Sequence, residues 1–100
     1  MPNLDQDTFV SFLEKNRTRE FSNQRGDNTF TYDIEQVTGQ TFPYKVLIVP
    51  NGGNPRGPDN RIQYFLDCFN QDQPAYNSGS QKSKAGNYTY IKVLMQHAAK

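Results

Sequence analysis

The sequence predicts an α+β domain, with an N-terminal helix followed by a four-stranded, mainly antiparallel sheet in meander order. Three observations carry that expectation. Phe9, Phe12 and Leu13 form an apolar stripe at helical spacing, and residues 29–37 alternate apolar and polar side chains. Val46-Leu47-Ile48-Val49 belongs to the most continuous apolar run in the chain.

The helix is expected over residues 3–16. Asn3 can cap it with Gln6 three residues on, and Asp5 is a competing cap. Asp5 and Asp7 suit the positive end of the helix dipole, and Lys15 and Arg17 the negative end. Residues 17–28 read as a polar connection anchored by Phe21. In the next segment Phe30, Tyr32 and Ile34 point one way, and Thr29, Thr31, Asp33 and Glu35 the other, as in a strand with one wet face. Thr38-Gly39-Gln40-Thr41 turns the chain and 42–49 returns, so a hairpin is expected, with Pro43 at its second strand's start. The four apolar residues 46–49 put apolar side chains on both faces, which predicts a central strand covered on both sides.

Residues 50–60, with three prolines and three glycines, read as an exposed loop. Segment 61–69 is ambiguous. As a helix it aligns Ile62, Phe65, Leu66 and Phe69, with Asp59 or Asn60 as cap; this alternative leaves a three-stranded sheet with two helices. The residue types, rich in Ile, Tyr, Phe and Cys, favour a strand. Residues 70–87 form a long polar loop anchored by Tyr76, residues 88–96 a last strand, and residues 97–100 a frayed tail containing His97.

One hundred residues make one domain, 1–100. Leu, Ile, Val and Phe total 21, close to the level at which disorder sets in, but a net charge of +1 opposes collapse little and 13 aromatic residues supply large buried areas. Cys68 has no second cysteine to pair with, and its neighbours Leu66 and Phe69 mark it as a buried hydrophobe. The N-terminus carries Asp5 and Asp7 where a signal peptide needs an apolar run, and no run is long enough to cross a bilayer. A soluble, cytoplasmic protein with no membrane partner is expected.

No catalytic, metal or nucleotide motif stands out, and no cofactor is expected. The single histidine, His97, lies too near the C-terminus to be held as a general base. Asp33 and Glu35 share a strand face but have no histidine beside them, and a metal-dependent enzyme would need them to converge with Asp67. Gly52-Gly53 and Gly57 lack the spacing of a phosphate loop.

Two features carry binding expectations. In the expected meander, the connections holding Arg17, Arg19, Arg25, Arg56 and Arg61 emerge at one sheet end, and a cluster of planar guanidinium groups suits phosphate. That makes nucleic acid the alternative reading. Phe65, Phe69, Tyr88 and Tyr90 are expected on sheet faces that one short helix cannot cover, as anchors for a partner protein or a second copy. The leading expectation is therefore a small non-enzymatic module acting through protein–protein contacts, as an adaptor, a phage-type inhibitor of a larger protein, or a homodimer.

Overall fold

The computed structural model describes residues 3–78 and 83–100. It is an α+β fold with element order α1 (Gln6–Lys15), β1 (Phe21–Ser22), β2 (Thr29–Gln36), β3 (Tyr44–Pro50), β4 (Arg56–Asp59), α2 (Ile62–Asn70) and α3 (Gly86–Ala98). The sheet is a meander in the order β1-β2-β3-β4, every neighbour antiparallel. Four strands in meander order are as expected, but two of the four are not the expected ones.

The hairpin is the firmest agreement. β2 and β3 pair over their whole length, with Tyr32 opposite Ile48 and Ile34 opposite Val46. Phe30, Tyr32, Val46 and Ile48 are buried on the inner face. On the outer face Thr31 lies opposite Val49, Asp33 opposite Leu47 and Glu35 opposite Lys45. Leu47 and Val49 stay half exposed there, which corrects the expectation that both faces would be covered. The helices bury Phe9, Leu13, Ile62, Phe65, Leu66, Ile91 and Leu94 in one core with the inner face. Two layers suffice because the outer face is mostly polar.

The helix α1 starts at Gln6, three residues later than expected. Asp5 wins the competition to cap it, because its Oδ1 accepts from the Thr8 backbone N–H at 2.7 Å. That contact holds the Asp5 carboxyl below the usual carboxylate range. Leu4 is stitched to the end of α2, donating its N–H to Asn70 Oδ1 at 2.7 Å and accepting from Asn70 Nδ2 at 2.8 Å.

Two expected strands are helices. Segment 61–69 takes its helical alternative, because the stripe Ile62, Phe65, Leu66, Phe69 buries completely as α2, outweighing weak helix propensity. Residues 88–96 lie in α3, which buries Tyr88, Ile91, Leu94 and Met95; their 3–4 residue spacing competed with an equally good alternation. The frayed tail is also corrected, since α3 runs through His97 to Ala98 and the His97 ring sits 5.0 Å from Phe21.

The missing strands come from segments read as loops. β1 is two residues long, with Phe21 opposite Phe30. β4, Arg-Gly-Pro-Asp, lies on the sheet edge, where proline is tolerated because its side facing solvent needs no donor. Gly57 has φ +108, and a Cβ there would stand 2.6 Å from the Asp59 nitrogen and 3.2 Å from the Val46 carbonyl oxygen. Only glycine fits that close approach. The long loop is partly ordered by an antiparallel bridge between Tyr76 and Lys84; Gly79 and Lys82, read as part of it, lie outside the described residues.

Candidate functional site

The two added strands redistribute the arginines. With β1 and β4 in place, turns 23–28 and 51–55 share one end of the sheet, whereas the chain entering β1, turn 37–43 and the chain leaving β4 share the other. Arg25 and Arg56 therefore stand toward the first end, and Arg17 and Arg61 toward the second, so the expected single arginine cluster does not form. Most are also engaged. Arg17 donates from Nε and Nη2 to Asp33 Oδ1, at 3.1 and 2.6 Å, which holds the Asp33 carboxyl below its usual range. Arg19 lies over the Phe21 ring, and Arg56 over the Tyr90 ring while its Nε donates to Asn87 Oδ1 at 3.0 Å.

Three of the four expected aromatic anchors are internal and Tyr90 is half-buried. Phe65, Phe69 and Tyr88 are buried, and Tyr90 meets Phe30 edge-on at 5.1 Å. Strands over 61–69 and 88–96 would leave these rings on an under-covered sheet; the helices α2 and α3 pack them against the core instead. Burial pushes the Tyr88 hydroxyl pKa up to about 12. Asp67 lies exposed on α2, in the helical layer, away from Asp33 and Glu35 on the outer sheet face. Among the described residues no three His, Cys, Asp or Glu side chains form a metal-binding group.

A different site emerges at the 37–43 end. An open cleft of about 680 Å³ lies between that turn, the start of α2 and the segment around Tyr76. The turn contributes Gln40, Thr41 and Phe42; the chain entering α2 contributes Asn60, Arg61, Gln63 and Tyr64; the third wall is Tyr76, Asn77 and Ser78. Phe42 is fixed by packing on Phe9, with ring centroids 5.8 Å apart, and the Thr41 carbonyl accepts from Gln6 Nε2 at 3.0 Å. The third wall is tied to the second, because the Tyr64 hydroxyl accepts from the Tyr76 N–H at 3.0 Å.

The base of the second wall is a buried ion pair. The Asp59 side chain is 4% exposed and that of Arg61 35%. Asp59 Oδ1 accepts from the Arg61 N–H at 2.9 Å and from its Nε at 3.0 Å, and Oδ2 from Arg61 Nη2 at 2.7 Å and Asn87 Nδ2 at 3.1 Å. Burial alone would raise the Asp59 pKa, but the Arg61 and Asn87 donors and the Arg61 charge more than offset it, so the carboxyl sits below its ordinary range. Arg61 Nη1 reaches across to Asn77 Oδ1 at 2.6 Å, and its guanidinium lies over the Phe65 ring. Among the described residues the cleft is thus lined by aromatic rings, amides and hydroxyls, and Arg61, the one charged side chain among them, is already neutralised.

Tyr64 and Tyr76, 42% and 38% exposed, are the exposed large apolar side chains among the described residues, and both line this cleft. Sequence reasoning missed the site because its walls come from three distant segments. A signal did exist: in the helical alternative for 61–69, Tyr64 falls outside the Ile62, Phe65, Leu66, Phe69 stripe and must point outward. A second cleft, of about 610 Å³, runs between α3 and residues 72–75 and is lined by Asp72, Lys84, Tyr88 and Lys92 among others. Among the described residues no helix is long and apolar enough to cross a membrane. No family model, curated protein or solved structure matches the chain.

Proposed function

We propose that this protein is a small non-enzymatic module that binds another protein through the cleft between turn 37–43, α2 and Tyr76. The observation that carries the reading is the placement of Tyr64 and Tyr76, which leave large rings partly in water in the lining of one cleft. A ring left exposed gives up burial free energy of about 25 cal/mol per Å², and a partner that covers it recovers that energy. Tyrosine and arginine are also the residue types on which binding energy concentrates. The single cysteine, buried and unpaired, supports an intracellular setting. The nucleic-acid alternative loses its main support, since the arginines divide between two ends of the sheet and Arg17 and Arg61 are ion-paired.

The test is quantitative affinity capture from cell extract with wild type and Tyr76→Ala side by side. Tyr76 makes no side-chain hydrogen bond among the described residues, so the variant should fold as wild type does. A partner that uses the cleft binds the variant at least about tenfold more weakly. Identical capture by both proteins refutes the assignment.

A further inference from the structure

We propose that the cleft receives an uncharged, extended segment of the partner protein, with a proline or aromatic ring packed against the exposed rings of Tyr64 and Tyr76. This inference rests on the cleft being the binding site and adds the chemistry of what enters it. Size sets the form of the partner. About 680 Å³ falls within the range of small-ligand clefts, roughly 300–1,000 Å³, so a partner enters as a protruding piece of chain and not as a broad folded face.

Charge sets its composition. Among the described residues the guanidinium of Arg61 is the only ionic group in the lining, and Asp59 accepts one N–H from each of its Nε and Nη2 while Asn77 accepts one from Nη1. Three of its five N–H groups are taken and its charge is balanced by Asp59, so a carboxylate or phosphate would find little net attraction there. A lysine or arginine would find no carboxylate among the described lining residues and would be desolvated without a partner. Charged segments are rejected from both sides.

The remaining polar groups match a peptide backbone. The amide side chains of Gln40 and Asn60 make no hydrogen bond among the described residues, and both line the cleft. Each carries a donor and an acceptor, the same pair that a backbone peptide unit presents. The partly exposed rings of Tyr64 and Tyr76, both in the lining, supply apolar surface, where offset ring contacts contribute beyond the area they bury. Proline suits such a surface because its backbone angle is fixed before binding and less entropy is lost.

The probe is a random linear peptide library displayed on phage and selected against the wild-type protein. Enriched sequences are then made as blocked, labelled peptides and titrated by fluorescence polarisation against wild type, Tyr76→Ala and Gln40→Trp. The Gln40 change adds bulk at an exposed turn position and so leaves the core alone. Expected are peptides with a proline or aromatic residue and no charged residue at the contact positions. Their Kd should change less than about twofold between about 0.05 and 0.5 M salt, and each variant should weaken them at least about tenfold. Acidic or basic peptides with steep salt dependence, still weakened by both variants, would overturn the uncharged-segment inference and leave the cleft assignment standing. Peptides indifferent to both variants would overturn the cleft assignment itself. A library with no enrichment would show that no linear segment enters, and the inference falls.

Discussion

Replacing Asp59 by alanine tests the polar joint on which the cleft stands. The substitution removes a carboxylate that is 4% exposed and four hydrogen bonds, three from Arg61 and one from Asn87. Removing one partner of a buried pair costs about 3–5 kcal/mol, because the other charge is left without compensation. Arg61 is 35% exposed and can recover part of that loss from water, which lowers the expected cost to about 2–3 kcal/mol. For a domain of this size each kcal/mol moves Tm by roughly 4–8 °C, so a fall on the order of 10–20 °C is expected. Circular dichroism melts of wild type, Asp59→Ala, Arg61→Met and the double variant make up the cycle, and the double variant should recover part of the loss. The pH dependence supplies a second readout. The folded Asp59 pKa is depressed, so its stabilisation is present in full above the ordinary carboxylate pKa of about 4, and is lost as pH falls from there through the lower folded value. Asp59→Asn should therefore flatten the acid limb of the stability curve. An Asp59→Ala protein melting within about 3 °C of wild type would place the pair among surface ion pairs and refute the reasoning.

Three further predictions follow from the packing. Tyr32→Phe removes a buried hydroxyl that donates to the Leu13 carbonyl oxygen at 2.6 Å, and should cost about 1 kcal/mol in urea unfolding with an unchanged m value. Gly57→Ala places a Cβ 2.6 Å from the Asp59 nitrogen, so it should loosen β4 and speed amide exchange in that strand, with a stability loss of about 1–3 kcal/mol. Burial raises the Tyr88 pKa from about 10 to about 12, so its neutral form stabilises the fold below pH 10 and that contribution is lost as pH climbs toward 12. Tyr88→Phe should therefore show a shallower alkaline limb when melts are compared across that window.

The hairpin was legible because β2 carries one unambiguous period. Phe30, Tyr32 and Ile34 alternate with Thr31, Asp33 and Glu35, and no helical register explains both sets. The helix α1 was legible for the same reason, and only its cap was shared between two candidates. Residues 88–96 defeated the method because Tyr88, Ile91 and Met95 fit a helix while a strict alternation fits as well, and β-branched and aromatic residues tipped the reading. Tertiary burial decided it. The strands β1 and β4 carried almost no signal, since a two-residue strand and an Arg-Gly-Pro-Asp edge owe their pairing to neighbours already in place. The arginine cluster failed as a direct result, because adding β1 sends Arg17 and Arg25 to opposite ends. Of the cleft only the outward position of Tyr64 was legible in local pattern, as Gln40, Tyr64 and Tyr76 meet only after the chain folds.

The β2–β3 hairpin also sets the order in which the chain can assemble. Its two strands adjoin a single short turn, whereas the stitch from Leu4 to Asn70 and the packing of α1 on α3 join distant parts of the chain. Closing those long loops carries an entropy cost that must be met before any contact rewards it. The hairpin is thus the natural nucleus, with α1 and α3 docking late. Ile48→Val should then slow refolding, while Met95→Ala, a larger deletion in α3, should act mainly by speeding unfolding. The hairpin, whose outer face stays half exposed in the finished fold, would be uncovered on both faces while it waits for its helices. Charged Asp33, Glu35 and Lys45 on that face keep it from pairing with another chain during the interval.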